Sequence, residues 1–172
     1  MSDEVKVISP LAAITFTASV SMLNKFYTDT YGIKLYEPRC CNLFGFDLQY
    51  SRLIPNTILK CLEGKNPIVY QFEGQEGARQ YLYVGNATYH FILRMDEERT
   101  GIENICSKKL WKSSEIIIEI LRYFPKMLPQ YEESDFVEIT EQSMIPNPNF
   151  KEFIDFNEGI KRTVDDYRMF MS

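Results

Sequence analysis

The stretches Ile68-Val69-Tyr70-Gln71-Phe72 and Tyr83-Val84-Gly85 carry the prediction of the fold. The first is rich in β-branched and aromatic residues, as half-buried strands are. The second closes a similar run that begins at residue 80, and the polar connection between the two runs is too short for a helix. The sequence therefore predicts strands over 68–72 and 80–84 that pair as an antiparallel hairpin.

Helical periodicity flanks this hairpin on both sides. From residue 87 to 99, the side chains of Thr88, Phe91, Ile92 and Met95 recur at the spacing of one helical face. Residues 51–62 show the same pattern and end at Gly64, which suits a C-terminal cap. A last amphipathic helix is predicted near the end of the chain.

The remaining segments complete a mixed architecture. Residues 15–23 and 32–36 are strand-like, the isoleucine-rich run 115–121 predicts a strand buried on both faces, and 135–145 predicts a helix. The expected fold class is α/β, of the α+β kind: a small central, mainly antiparallel sheet flanked by helices, with additional N-terminal elements.

The composition fits one globular domain. The chain has 172 residues, of which 45% are hydrophobic, so a sizeable core is available. We expect N-terminal elements of unassigned role in 1–65, the core of the domain in 66–150 and a C-terminal helix in 151–172.

The distribution of charge restricts where a phosphate can bind. The net charge is -5, which argues against a protein that coats DNA with a broad basic surface. Residues 1–112 hold 13 Lys and Arg against 12 Asp and Glu, whereas 113–172 hold 6 against 12. A surface that faces phosphate is therefore expected in the first two-thirds of the chain.

The cysteine pattern and the apolar runs indicate a cytoplasmic, intracellular protein. Four cysteines include the adjacent pair Cys40 and Cys41, and none shows the spacing of a zinc knuckle, so reduced thiols are expected. Hydroxyl side chains interrupt the apolar run 11–20, so no membrane span is expected.

The hairpin and the helix after it bring together residue types that suit phosphodiester hydrolysis. That reaction needs a base, positive charge on the non-bridging oxygens and a metal ion or acid for the leaving oxygen. A tyrosine acts as a base when nearby cations lower its pKa, arginine matches phosphate geometry, and one glutamate can anchor Mg²⁺.

The order of these elements resembles the catalytic core of the GIY-YIG nucleases across residues 66–150. The resemblance implies a metal-dependent endonuclease that hydrolyses DNA, of a restriction type or a stand-alone phage type. It makes Tyr70 the general base, Tyr83 a supporting phenol, Arg94 the phosphate clamp and Glu141 the ligand of one Mg²⁺, with His90 in the place of the family's histidine. DNA is the implied partner, and cutting two strands implies a homodimer.

Departures from the family pattern leave other interpretations open. Ile68 stands where the family has glycine, and Glu98 where its histidine usually lies. The tyrosines also fit as aromatic residues of a half-buried hairpin, and Arg94 as a solvated helix charge that pairs with Glu97 or Glu98. The alternative functions are a non-catalytic protein-interaction module and an acidic inhibitor that mimics nucleic acid.

Overall fold

The structure, a computed structural model, describes residues 10–135, 141–142 and 144–172. In chain order these residues form α1 (Pro10–Tyr31), β1 (Tyr36–Cys40), β2 (Asn42–Phe44), α2 (Leu53–Leu62), β3 (Ile68–Gln71), β4 (Ala78–Tyr83), α3 (Val84–Asp96), β5 (Gly101–Ile105), β6 (Leu110–Lys112), α4 (Ser113–Leu121), β7 (Gln130–Glu133), β8 (Glu141–Gln142) and α5 (Phe156–Met171). Within this part of the chain, no helix combines the length and the apolarity that crossing a membrane requires.

The strands pair in three small sheets that are mostly parallel. β1 pairs with β5 and β3 with β7, both in parallel. In the third sheet β4 runs parallel to β2 and β8 and antiparallel to β6. The α/β class with helices beside small sheets is confirmed, whereas the prediction of a mainly antiparallel central sheet is wrong.

The predicted hairpin between β3 and β4 does not form. Phe72 and Gln75 exchange two backbone hydrogen bonds of 2.9 Å around a tight turn, but the pairing stops there. The next residue, Glu76, accepts hydrogen bonds from the backbone N–H of Ser114 at 2.8 Å and from its hydroxyl at 2.6 Å. A carboxylate in this position stabilises the N-terminus of α4 and directs the chain away from β3.

Two segments predicted as strands are helical. Residues 15–23 lie within α1, and the isoleucine-rich run lies within α4. In α4, Ile116, Ile117 and Ile120 are buried while Ile118 is exposed, which is the pattern of a helix face. Glu115 also accepts a hydrogen bond of 2.8 Å from the backbone N–H of Lys112, as in a capping box. Burial and capping therefore override the β propensity of isoleucine.

The other predicted elements have mixed outcomes. Helices near 51–62, 87–99 and the C-terminus are confirmed by α2, α3 and α5. The strand predicted over 32–36 begins only at Tyr36. Most of the helix predicted over 135–145 lies outside the described residues, and the backbone of residues 141–142 forms β8 instead.

The main core lies between α2, α4 and α5. The side chains of Ile58, Ile116, Ile120, Ile160 and Val164 are fully buried there. Burial of an aliphatic side chain of this size stabilises a fold by about 1.5–3 kcal/mol. This cluster fixes α5 against the two shorter helices and against the end of β2, where Phe44 joins it.

The four cysteines carry free thiols, as the sequence predicts. Burial raises the pKa of all four, in Cys41 to about 12. The thiols therefore stay protonated near neutral pH.

Tyr83-Val84-Gly85, one of the two stretches that decide the predicted hairpin, is a close-packing element in the structure. A Cβ on Gly85 would lie 2.7 Å from Cε1 of Tyr83. A Cβ on Gly159 in α5 would lie 2.9 Å from Cζ of Phe44 and 3.0 Å from Cβ of Tyr83. The two glycines therefore allow α3 and α5 to approach the ring of Tyr83 closely.

We predict that Gly159→Ala lowers the free energy of unfolding by about 1–3 kcal/mol, because the added methyl overpacks the contact with Phe44 and Tyr83. Glycine to alanine in a helix interior ordinarily stabilises by up to about 1 kcal/mol, so the sign is diagnostic. Urea unfolding followed by circular dichroism measures the change. The control is Asn157→Ala at an exposed α5 position, and equal stability of both variants would contradict the packing argument.

Candidate functional site

The structure places the predicted tyrosines in different surroundings. Tyr70 lies in β3, opposite Glu132 of β7, and is 46% exposed. Tyr83 is the last residue of β4, and its ring lies 5.7 Å from that of Phe44. Tyr70 thus belongs to the β3–β7 pair and Tyr83 to the packing of β4 against α5.

Arg94 is held by carboxylates. Its guanidinium makes a bidentate ion pair with Glu103 of β5 at 3.0 and 2.9 Å and contacts Glu97 at 2.6 Å. The pair with Glu97 is therefore present, but Arg94 is buried and is not the solvated helix charge that the alternative interpretation expected. The side chains of Arg94 and Glu103 are only 10% and 11% exposed, so this pair joins α3 to β5 in a partly dry environment.

Several donors converge on Glu103. The hydroxyl of Tyr36 donates to it at 2.8 Å, and Nε2 of His90 lies 3.2 Å from its Oε2. The amide of Asn147 donates to the other oxygen. Burial alone raises the pKa of Glu103, but hydrogen bonds from Arg94, Tyr36 and His90 outweigh that effect and bring the pKa to about 2.

Among the predicted site residues whose side chains the structure describes, only His90 and Arg94 are in contact, in a cluster that joins α3 to β5. The backbone of Glu141 pairs with Ala78 of β4, and its side chain lies outside the described residues. The catalytic roles assigned to Tyr70, Tyr83, Arg94 and His90, and the metal role of Glu141, belong to the nuclease interpretation and depend on it.

A separate cavity of about 760 Å³ lies beside the parallel strands β2 and β4 and extends from Arg79, near the amino end of β4, to Val84, just after its carboxyl end. The loop after β2 and the first turn of α2 form its other walls. Its polar lining comes from Asn42, Asp47, Gln49, Ser51, Arg52 and Arg79. This volume is within the range of small-molecule pockets.

Strand alternation aims part of β4 at the cavity. Along β4, Ala78, Gln80 and Leu82 are buried, whereas Arg79 and Tyr81 are half-buried and line the cavity. Because successive side chains point to opposite faces of a strand, Arg79 and Tyr81 share the face toward the cavity. Burial raises the pKa of Tyr81, so its hydroxyl stays neutral.

The loop after β2 is held by a chain of polar contacts. The backbone N–H of Gln49 donates to Asp47 at 2.8 Å, and Nε of Arg52 donates to the side-chain oxygen of Gln49 at 2.8 Å. Arg52 also lies 3.8 Å from the carboxylate of Asp47. These contacts orient the guanidinium of Arg52 at the rim of the cavity.

The N-terminus of α2 adds a favourable field for anions. Arg52 is the N-cap residue and makes no side-chain capping hydrogen bond. Backbone N–H groups at a helix N-terminus attract negative charge and often bind phosphate. Two arginines and one helix N-terminus therefore converge on a cavity that contains one carboxylate, that of Asp47.

Sequence reasoning missed most of this site. It left residues 1–65 without a role, although residues 42–55 supply most of the lining. The distribution of charge was the one feature of the sequence that pointed toward this region, because it predicts a phosphate-facing surface in the first two-thirds of the chain.

Comparison with known proteins gives matches of structure alone. No family model and no curated protein matches this sequence. The structure resembles UDP-glucose 4-epimerase from Thermotoga maritima, solved with UDP-glucose, with a TM-score of 0.81 and 18% identity over 99% of this chain and 60% of that one. UDP-N-acetylglucosamine 4-epimerase from Methanobrevibacter ruminantium, in complex with UDP-N-acetylmuramic acid, gives 0.81 and 22% over 99% and 58%. dTDP-glucose 4,6-dehydratase from Bacillus anthracis, in complex with NAD, gives 0.76 and 21% over 98% and 56%.

This chain shares the fold of a part of these enzymes. At identities of 18–22% the likeness establishes the fold, and the chain spans 60% or less of the length of each. The resemblance to GIY-YIG nucleases is therefore wrong, because the matching structures are epimerases and dehydratases of sugar nucleotides.

The functional predictions that followed from that resemblance are corrected with it. A metal-dependent DNA endonuclease, a Mg²⁺ cofactor and a DNA partner are overturned by structural relatives solved with sugar nucleotides and NAD. The homodimer was inferred from the need to cut two DNA strands, so that reason is removed. The protein-interaction module and the acidic inhibitor gain no support either.

The residues of this chain do not fit the phosphates of NAD. The dinucleotide fingerprint G-x-G-x-x-G needs two glycines with one residue between them after a strand, and no two of the eight glycines have that spacing. Gly85 does follow a strand at the start of a helix, but the ring of Tyr83 occupies the space beside it.

The cluster around Glu103 gives a testable dependence on pH. We expect Glu103→Gln to lower the free energy of unfolding by about 3 kcal/mol, because buried Arg94 loses its bidentate partner. The folded-state pKa of about 2 lies below the ordinary value of 4.5, so the contribution of Glu103 is complete above about pH 4.5 and is lost as the pH falls toward 2.

Urea unfolding between pH 2 and 7 tests this expectation. The variant should show a shallower loss of stability in acid than the unaltered protein. The control is Glu98→Gln, which breaks the exposed pair with Lys34 and should change stability by less than about 1 kcal/mol. Parallel acid profiles for the protein and Glu103→Gln would disprove the assignment.

Proposed function

We propose that the cavity between β2, β4 and α2 binds a sugar nucleotide through its diphosphate. The observation that carries this proposal is the convergence of Arg52, Arg79 and the N-terminus of α2 on one cavity. The shared fold supports it, because the Thermotoga maritima epimerase was solved with UDP-glucose and the Methanobrevibacter ruminantium epimerase with UDP-N-acetylmuramic acid.

The diphosphate is the part of such a ligand that the site suits best. A guanidinium presents parallel N–H donors that match two phosphate oxygens and keeps its charge at every physiological pH. Arg79 approaches from β4 and Arg52 from the opposite wall at the start of α2. A diphosphate between them contacts both cations and the positive end of the helix.

The rest of the lining suits the sugar and the nucleoside. Asp47, Gln49 and Asn42 offer acceptors and donors for hydroxyl groups, and Asn42 is oriented by donating to the backbone carbonyl of Gln80 at 3.1 Å. Leu43, Tyr81 and Val84 provide apolar surface for a ring face. The cavity thus combines a few polar groups with an apolar wall, as small-molecule sites usually do.

The proposed activity is binding and orientation of the sugar nucleotide. The residues that line the cavity hold the diphosphate and orient the rest of the ligand. An intracellular location is also part of the proposal, because free, buried thiols suit a reducing compartment.

We predict that Arg79→Gln weakens binding of UDP-glucose by roughly 10- to 150-fold. A hydrogen bond to a charged group contributes about 1.5–3 kcal/mol, which converts to that range of dissociation constants. Isothermal titration calorimetry with UDP-glucose measures the effect, and Arg52→Gln should change the affinity in the same direction.

The matched control is Arg122→Gln at the C-terminal cap of α4, which removes one arginine from outside the cavity and should leave the affinity unchanged. UDP should retain most of the affinity of UDP-glucose, whereas free glucose should show no binding. The proposed function would be overturned if neither UDP-glucose nor dTDP-glucose showed saturable binding up to about 1 mM. A dissociation constant of that size corresponds to a binding free energy of only about 4 kcal/mol.

A further inference from the structure

Tyr167 of α5 connects the C-terminal helix to the wall of the cavity. Its side chain is fully buried, and its hydroxyl binds both backbone groups of Asp47, 120 positions away in sequence. The N–H of Asp47 donates to the hydroxyl oxygen at 3.1 Å, and the hydroxyl donates to the carbonyl of Asp47. One side chain thereby satisfies a donor and an acceptor of an otherwise irregular segment.

The segment that Tyr167 holds, residues 45–52, has weak support of its own. The side chains of Leu48 and Tyr50 are 62% and 44% exposed. Its backbone hydrogen bonds are local, from Tyr50 N–H to the carbonyl of Leu48 at 3.1 Å and from Arg52 N–H to that of Gln49 at 3.2 Å. A segment with few buried contacts opens easily unless a long-range contact restrains it.

Aromatic packing places the same restraint at the neighbouring residue. The ring of Phe46 lies 4.9 Å from that of Tyr167 and 5.1 Å from that of Phe170. Residues 46 and 47 are therefore fixed to α5 at successive positions. From Asp47 the polar contacts run through Gln49 to the guanidinium of Arg52.

We propose that Tyr167 is a positioning residue that holds residues 45–52 in the geometry that binds the sugar nucleotide. The inference rests on the proposed function and extends it, because Tyr167 does not line the cavity and acts through Asp47, Gln49 and Arg52. For a ligand that binds only the held conformation, the apparent dissociation constant equals the intrinsic one divided by the fraction of molecules in that conformation, so affinity falls as the fraction falls. Removing the hydroxyl therefore weakens the affinity by allowing Arg52 to move.

The test is Tyr167→Phe, which keeps the buried ring and removes only the hydroxyl. We expect amide hydrogen exchange of residues 46–49 to accelerate in the unliganded variant and the dissociation constant for UDP-glucose to rise roughly tenfold. The control is Tyr123→Phe, a tyrosine packed against the same core cluster, which should change neither readout. Unchanged exchange or unchanged affinity in Tyr167→Phe overturns the inference.

Two further measurements separate the possible outcomes. If Tyr167→Phe does not fold, amide exchange in the unaltered protein replaces it, since the N–H of Asp47 donates to Tyr167 and should exchange more slowly than the N–H of its neighbour Leu48, whose side chain is 62% exposed. An Asp47 amide that exchanges as fast as the Leu48 amide also overturns the inference. Failure of the unaltered protein to bind UDP-glucose would refute the proposed function, whereas the exchange result tests the role of Tyr167 by itself.

Discussion

The contact of α5 with the ends of β2 and β4 is the constraint on which the rest of the structure depends. Gly159 allows the helix to lie directly against Phe44 and Tyr83, a distance that any side chain would increase. About two turns further along, the same helix presents Tyr167 to the loop after β2. The distance between α5 and the strand ends therefore determines both the packing of β2 and β4 and the position of the loop that forms one wall of the cavity.

The local part of this fold could be predicted from the sequence and the long-range part could not. The helices α2, α3 and α5 have a clear 3.6-residue period and end signals, and all three form close to the predicted positions. The strands β3 and β4 exist, but their partners lie far along the chain, and no local pattern names a distant partner. In α4, tertiary burial outweighed the preference of isoleucine for strands.

The motif that suggested a nuclease has a steric explanation. In Tyr83-Val84-Gly85 the glycine makes room for the tyrosine ring, and Arg94 is ion-paired to Glu103, nine residues later. The candidate site escaped sequence reasoning because its residues come from two segments that meet only through the parallel pairing of β2 with β4. No pattern in the sequence links Arg52 to Arg79, and only the excess of acidic residues after position 112 pointed toward the region of the candidate site.

The parallel pairing also determines how this chain can reach its folded state. Tyr36 pairs with Gly101 and Ile68 with Gln130, so each of these sheets closes a loop of more than 60 residues. Such high contact order slows folding, because the entropy of closing the loop is lost before the contacts form. During synthesis β1 and β3 leave the ribosome long before β5 and β7 exist, and their open edges remain available to other strands. Folding yield should therefore depend on chaperones and on the rate of translation.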